Sequence, residues 1–489
     1  MSRRPKKTRT ESDAESARLR KENAELRADN AKLRASVDGL AGQVEELGRQ
    51  IAKLTKALTD AQRAGKRQAA PFRRKTRKAD PKRPGRKPGH KGEWRAIPDK
   101  VDRVLHGPAL THCPDCGHGV DDVHTSTNYE TDLPKVEPQV TQYVFDSAWC
   151  SHCDRQVHAP HPEQTATATG AAASHLGPRV RSLSADLKHR LGVPYRKQSD
   201  LLQAHFGLRV SAGGIVQANY RLTERARPTY DEIRKELARS ELIHADETGW
   251  RVDSDSWWLW VVCSKALTAY RITDHRSAKA VVELLGPSIK GRLFRDGWAS
   301  YDKQLAGWPM LRCLLHLQRN AEDLLREQTG GAKDTPSLFL DWLDDVFLLK
   351  RQAATLTPEA YADRAAGLEA SWDWMLEHLR MSEDDERNLG FMARLGGAQE
   401  QILPLLRERA LPVANNQAER QIRPAVVIRK ISAGNKTGRG ARTHEVLASL
   451  AASCRQQGAA FADVVRQILV GPAGKVARFW RPKPSPAPS

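Results

Sequence analysis

No run of about 18 consecutive apolar residues occurs in this 489-residue chain, so no segment reads as a membrane-spanning helix. The opening stretch, MSRRPKKTRTESD, has no apolar core behind its charges and does not read as a secretory signal. Cysteine is sparse and odd in number, seven in all, which argues against a disulfide scaffold and fits a reducing, cytoplasmic compartment. Apolar residues make up only 39% of the chain, so part of it is expected to be extended or solvated. Acids are in deficit: 59 Asp and Glu face 79 Lys and Arg, a formal net charge of +20. Such an excess favours a polyanion, either nucleic acid or an anionic membrane surface, and with no spanning segment nucleic acid is the stronger expectation. The length suggests roughly two to four domains.

Leucine recurs every seventh residue at Leu19, Leu26, Leu33, Leu40, Leu47 and Leu54. Taken as d positions, these leave Asn23, Asn30, Val37, Val44, Ile51 and Leu58 at a, a pattern that favours two parallel strands of a coiled coil over residues 12–62. The two asparagines would fix register, whereas Gly39, Gly42 and Gly48 weaken the middle of the helix. A homodimer or higher oligomer is the expected result; a lone amphipathic helix packed on the body, or a different coiled-coil partner, is the alternative. From Arg63 to Lys91 there are thirteen Lys or Arg and one acid, Asp80, a net of +12 out of the chain's +20. Four prolines and three glycines between Pro71 and Gly92 prevent a helix, so residues 63–95 read as an extended basic strap. Arg83, Arg86 and Lys87 in KRPGRKPGHKG suit an A·T-rich minor groove. A solvated linker with sequence-independent phosphate affinity fits equally well.

Two C-x-x-C knuckles follow, Cys113-Pro-Asp-Cys116 and Cys150-Ser-His-Cys153, with 33 residues between them. Each supplies two thiolates from one tight turn, and together they complete a tetrahedral, closed, structural Zn²⁺ site in a module spanning residues 100–165. Redox pairs or buried free thiols are the alternatives, and His112, His118, His152 and His158 lie close enough to replace a ligand. Residues 174–237 read as helical. Within them Gly207 stops one helix and Ser211 caps the next, in a pattern resembling a helix-turn-helix. Gln217, Asn219 and Arg221 would be its exposed contacts to DNA; a helical hairpin that only packs on the neighbouring domain is the alternative.

The runs ELIHADETGWRV, SWWLWVVCS and ALTAYRITD are rich in strand-forming residues and read as three antiparallel strands. SAKAVVELLG reads as a helix ended by Gly286, GRLFRDGW as a fourth strand, and MLRCLLHLQRNAEDLL as a strand or turn entering a helix. This order predicts an α/β, ribonuclease-H-like catalytic core over residues 240–430, with a helical insertion at about 333–405. Residues 431–475 would add a basic turn and helices, and 476–489 a disordered tail. An acid, Asp246, sits on the first strand, a second, Asp296, follows the fourth, and Glu419 lies in a helical stretch after the insertion, with 122 residues between it and Asp296. Two strand-borne aspartates and a helix-borne glutamate suit a pair of divalent metals about 4 Å apart, which activate one oxygen and stabilise another in phosphoryl transfer. The competitors are weaker: Glu247 should face away from Asp246 by strand alternation, Asp253 and Asp255 suit a turn, and Asp302 is the best substitute for Asp296. Asn416, Glu419 and Arg423 share a helix face, with Arg420 one step around; Pro424 should kink or end that helix.

The segments HADETGW, RDGWASYD and NNQAER, with the paired knuckles, resemble the transposases of the IS66 insertion-sequence family, which belong to the DDE class. The resemblance runs from the zipper to about residue 470. It implies Asp246 as the ligand shared by two Mg²⁺ or Mn²⁺ ions, with Asp296 and Glu419 completing one site each. His316 stands where this family also has a histidine, and is either a phosphate contact or a satisfied core residue. Arg420 and Arg423 beside the glutamate would hold phosphates. After the glutamate this chain has ISAGNKTGRG, a departure from the family's aromatic-rich wording that suggests a subgroup. Lys436, Arg439 and Arg442 there are candidate phosphate ligands, against a solvated loop. The implied activity is a nucleoid-associated DNA transposase that binds terminal inverted repeats, cleaves 3′ ends and joins them to target DNA, with small companion proteins as further partners. A DNA-binding regulatory or architectural protein with an inert nuclease-like core, or a ribonuclease-H-like nuclease without strand transfer, are the rival readings.

Overall fold

The computed structural model describes residues 95–165, 175–382 and 385–480, together with residues 89, 90 and 92 and scattered positions between 18 and 51. Its contacts divide the chain into two units, Met1–Pro81 and Lys82–Ser489. In the first, every described position is helical and exposed. Leu40, Val44, Leu47 and Ile51 belong to the expected a and d stripe and are 56–68% exposed. Leu19, Leu26, Leu33 and Leu54, their partners Asn23, Asn30, Val37 and Leu58, and the strap residues Arg83, Arg86 and Lys87 lie outside the described residues.

The second unit is built on a mixed sheet of five strands, β3 (Leu242–Val252), β4 (Asp255–Cys263), β5 (Thr268–Thr273), β6 (Arg292–Arg295) and β7 (Met310–Arg312), in the order β5-β4-β3-β6-β7. β3, β4 and β5 pair antiparallel, because each connection is a short turn; Asp253, with φ of 56°, takes the left-handed position in the first. β6 and β7 then join parallel to β3, each after a helical crossover, α4 (Lys279–Leu285) and α5 (Ala299–Gln304). Alternation divides the sheet's side chains between two cores. Ile243, Ala245, Trp260 and Val262 pack against α3 (Ala212–Ala238), α4 and α13 (Phe461–Val470). Trp250, Leu259, Val261 and Cys263 pack on the other side against Ala418, Ile422 and Ala425 of α11 (Asn416–Ser432). Complete burial of each such Val, Leu or Ile contributes roughly 1.5–3 kcal/mol.

β5 is an edge strand, and α12 (Gly438–Gln457) closes it with side chains. Glu445, Ser449 and Ser453 accept the backbone N–H groups of Ile272, Tyr270 and Thr268 at 2.7, 2.8 and 3.0 Å. Four residues of helix rise about 6 Å, close to the 6.6 Å of two strand residues, so one helix face keeps step with the strand. The edge is thereby blocked against pairing with another chain. Ser449→Ala should strand the buried Tyr270 N–H and lower unfolding stability by about 1–3 kcal/mol, measured by chemical denaturation.

α6 (Leu314–Glu327) leads into four helices, α7 (Asp334–Gln352), α8 (Pro358–Ser382), α9 (Glu386–Gly396) and α10 (Gln399–Arg407). Their core of Phe339, Trp342, Trp372, Phe391 and Leu395 is continuous with Phe294 and Leu311 of the sheet. Upstream stand α1 (Pro178–His189) and α2 (Tyr195–Phe206). Gly207 ends α2 at a left-handed φ of 63°, and the Ser211 hydroxyl accepts the Gly214 N–H at 3.1 Å to start α3.

α3 runs for 27 residues, because Leu222, Ala226, Tyr230, Ile233 and Leu237 continue its apolar stripe into the core. Three expectations need correction. Asn219 is 2% exposed and donates to Ser184 Oγ and Ile215 O, so it is not available to DNA, although Gln217 and Arg221 are exposed. α11 continues through Pro424 for two further turns and ends at Ala433, whose φ is 57°. Residues 476–480, assigned to a disordered tail, pack on α3: Trp480 is 7% exposed, Ala477 N–H donates to Thr229 Oγ1 at 3.0 Å, and Arg478 pairs with Glu232 at 2.8 Å. Residues 481–489 lie outside the described residues.

Candidate active site and cysteine module

The parallel register of β3 with β6 sets His244 beside Phe294, and continuing it by two residues brings Asp246 beside Asp296. Adjacent strands lie about 4.8 Å apart, so the two aspartates are neighbours at the carboxyl end of β6. Each has one oxygen fixed by its own chain: Asp246 Oδ1 accepts the Glu247 N–H at 2.9 Å, and Asp296 Oδ1 accepts the Trp298 N–H at 3.0 Å. Asp246 pairs with Val261 across β4 and therefore lies on the face covered by α11. Glu419 sits in the first turn of α11, half-buried, with Arg319 of α6 at 4.0 Å.

The three acids share an electrostatic field. Burial pushes the Asp246 carboxyl up to about 8, and the charges of Glu247, Asp296 and Glu419 add to it, against a lowering by the Glu247 N–H. The His316 ring is pulled down by burial, while Asp296 and Glu419 pull it up, so it faces both acids from α6. Its Nε2 stands 3.5 Å from Arg319 Nη1. Among the described residues, no three His, Cys, Asp or Glu side chains stand close enough to hold an ion between them. Asp246, Asp296 and Glu419 thus share a field and not a common ligand point. Hard carboxylate oxygens in mutual repulsion are a donor set that suits Mg²⁺ or Mn²⁺.

Glu247 faces away from Asp246, as strand alternation requires, yet it also bears on the site. It accepts from Arg276 Nε and Nη2 at 3.1 and 2.9 Å, and the guanidinium lies 4.6 Å from the rings of both Trp258 and Trp298. Burial, then the charge of Asp296, raises its carboxyl, and Arg276 opposes the rise. Asp302 is committed elsewhere: it pairs with the fully buried Arg295, which also donates to Asp296 O at 2.8 Å and Gln401 Oε1 at 2.9 Å. That engagement weakens Asp302 as a substitute for Asp296.

Sequence reasoning passed over Asn415, which is 1% exposed at the start of α11. Its side chain reaches His244 and Ala245 of β3. The only signal was its place in NNQAER, before a helix that carries an acid. Arg420 and Arg423 are exposed on α11, and Lys436, Arg439 and Arg442 around the start of α12. That turn is not a loose loop. Asn435 exchanges backbone hydrogen bonds with Arg251 and Asp253, its Oδ1 accepts Trp250 Nε1–H at 2.8 Å, and Arg439 lies 4.4 Å over the Tyr220 ring.

Each cysteine knuckle forms its own turn. Gly117 N–H donates to Cys113 O at 2.9 Å with a φ of 76° that only glycine adopts freely, and β1 (Ser147–Cys150) and β2 (Arg155–His158) make a hairpin around the second. Backbone N–H groups of the knuckle, foremost those of Cys116 and Cys153, lower the Cys113 and Cys150 thiols and favour the thiolate. The two pairs do not converge on one point. They fit zinc as donors: two prepared thiolate turns on one module, with soft sulfur ligands. The purified protein should carry one Zn²⁺ per chain, and Cys150→Ala should release it, as read by metal analysis and a chelator dye.

A mixed sheet with one aspartate on β3 and another just past β6, a helix-borne glutamate and a preceding cysteine-knuckle module define a basic α/β protein whose sheet carries a cluster of carboxylates suited to metal. Residues 173–443 match the transposase IS66 family, and residues 111–154 match the zinc-finger binding domain of transposase IS66. The first span covers more than half of the 489 residues, and the chain belongs to the IS66 transposase family. The chain is also 25% identical over 337 residues to the "Uncharacterized protein y4qI" of Sinorhizobium fredii. That match takes in 62% of this chain and spans 60% of the relative's length. Among the described residues no helix is long and apolar enough to cross a membrane.

Proposed function

We propose that the protein is a DNA transposase of the DDE class that binds the terminal inverted repeats of its element, cleaves at their 3′ ends and joins them to target DNA. The observation that carries this reading is the placement of Asp246 on β3 beside Asp296 at the end of β6, with Glu419 in the first turn of α11, the helix that covers that face of the sheet. Three antiparallel strands, a helix and two parallel strands, with acids at these places, follow the ribonuclease-H-like order. The four-helix segment between β7 and α11 is an insertion into that order and stands against the sheet end that carries Asp296. Asp246, Asp296 and Glu419 would hold Mg²⁺ or Mn²⁺, which when bound supplies charge neutralisation for the attacking and leaving oxygens.

The chain's own residues orient and neutralise. With one oxygen of Asp246 and one of Asp296 held by backbone N–H groups, their other oxygens would be left for the ion, and Glu419, on the helix, would complete the set. His316 and Arg319 beside the acids, with Arg420 and Arg423 on α11, would hold the phosphates flanking the scissile bond. In cleavage, water attacks the phosphodiester and leaves a 3′-hydroxyl on the element; in joining, that hydroxyl attacks a target phosphodiester and frees a target 3′-hydroxyl. The zinc module and the basic strap would grip DNA, and the heptad segment would pair two copies. Companion proteins and nucleoid association belong to the same reading. Incubation of purified protein with end DNA, target DNA and Mg²⁺ tests it. Joined product from the wild type and none from Asp246→Asn or Glu419→Gln is expected; full activity in either variant would refute the assigned site.

A further inference from the structure

We propose that Asn415 is a positioning residue that sets Glu419 against Asp246 by tying the first turn of α11 to β3. The inference rests on reading the three acids as the metal-binding set. Every polar group of Asn415 is engaged. Its Nδ2 donates to Ala245 O at 2.7 Å, and its Oδ1 lies 2.9 Å from His244 Nδ1. Its own N–H donates to Cys313 Sγ at 3.3 Å, and its carbonyl accepts the Glu419 N–H at 3.2 Å. The side chain therefore holds the two residues immediately before Asp246, and the backbone holds Glu419 one helical turn, about 6 Å, further on.

The network fixes its own polarity. Because Nδ2 faces a carbonyl, Oδ1 faces the imidazole, and His244 Nδ1 carries the proton it donates. Only a carboxamide both donates and accepts here: Asp would set an oxygen against Ala245 O, and an apolar side chain would leave two buried groups unpaired. His244 is itself fixed, 5% exposed and stacked on Phe294 at 5.2 Å between ring centres. Cys313, at the start of α6, adds the helix that carries His316 and Arg319. One residue thus joins the elements that bear Asp246, Glu419, His316 and Arg319, while among the described residues Glu419's own carboxylate has only Arg319, at 4.0 Å, to direct it. Aim by the backbone matters most for an acid so lightly held.

The test is Mn²⁺ binding by the full-length protein, followed by electron paramagnetic resonance, for wild type, Asn415→Ala, Glu419→Gln and the double variant. Asn415→Ala is expected to weaken the Glu419-dependent site by about 10–100-fold. The double variant should bind no more weakly than Glu419→Gln alone, because Asn415 acts through Glu419. In end cleavage, Asn415→Ala should raise the Mn²⁺ concentration for half-maximal rate by a similar factor and return to near the wild-type rate at saturating Mn²⁺. Asn415→Asp, which keeps an acceptor for His244, gives the same readouts if the alanine variant does not fold. Wild-type Mn²⁺ affinity in the Asn415 variants, or additive losses in the double, would overturn the proposal. If Glu419→Gln itself leaves Mn²⁺ binding unchanged, the reading of the three acids fails first, and the proposal fails with it.

Discussion

Asp246→Asn is expected to abolish strand transfer while making the metal-free protein more stable. Asp246 is half-buried on the sheet beside three other carboxylates, and its acid is pushed up to about 8 from 3.8. The sign follows from proton binding. Between those values the folded chain retains a proton that the unfolded chain releases, so the stabilisation is full below about pH 4 and is lost as pH rises towards 8. At neutral pH most of that loss has already occurred. An asparagine keeps an acceptor for the Glu247 N–H and removes the charge, so unfolding at pH 7.5 should cost a few kcal/mol more than in the wild type. Added Mn²⁺ should raise the melting temperature of the wild type and leave Asp246→Asn little changed, because a ligand that binds only the folded state stabilises it. On the proposed function, strand transfer should fall by at least about a hundredfold, since Asp246 would be one of the carboxylates that hold the metal. A variant that melts lower than the wild type without metal, or responds equally to Mn²⁺, would show that repulsion among these acids is not what burial stores here.

Local chemistry made much of the core readable. Strand-forming runs with turn residues between them predict β3, β4, β5 and β6 closely, and Gly207, Ser211 and Gly286 mark helix ends by their own backbone or capping preferences. Asp246 and Asp296 are legible because each follows a short apolar strand, and strand period alone places Glu247 on the other face. Longer-range features were not legible. Asn415 meets Ala245 across 170 positions, and no local pattern distinguishes that use of an asparagine from a helix cap. The polar stripe Glu445, Ser449 and Ser453 has helical spacing, but its role depends on an edge strand about 180 residues earlier. Gly213 and Gly214 weaken the start of α3, and its stability comes from the apolar stripe that follows. Pro424 breaks no helix because Ile422 and Ala425 hold α11 on the sheet on either side of it.

The second large effect is expected at low pH, where His189 of α1 and His444 of α12 should become the weak point of the fold. The two rings are 5.8 Å apart and buried, and the Trp250 indole stacks on His444 at 5.0 Å. Among the described residues neither nitrogen of His189, nor Nε2 of His444, has a hydrogen-bond partner, and the cavity beside them, about 20 Å³, has room for little more than one water. The charges around them are mostly positive: Lys188, Arg190 and Arg455, with Asp186 already engaged by Arg190. Burial, then the charge of Lys188, pulls His444 down to about 3, and burial, then His444 and Lys188, pull His189 well below its ordinary value. Both rings are therefore neutral in the fold but protonate in the unfolded chain near pH 6.5, so their contribution is present above 6.5 and is lost as pH falls towards the folded values. The loss is on the order of 1 kcal/mol per pH unit for each ring, and across two units it becomes a large part of an ordinary domain's stability. His444→Phe preserves an aromatic face for Trp250 and removes one titration, so its denaturation midpoint should fall with acid about half as steeply over pH 6.5–4.5. An unchanged slope in His444→Phe combined with His189→Leu would place the acid sensitivity elsewhere. Because the rings join α1 to α12, limited proteolysis at pH 5 should cut first around α1, while the sheet remains protected by the side-chain ladder along β5.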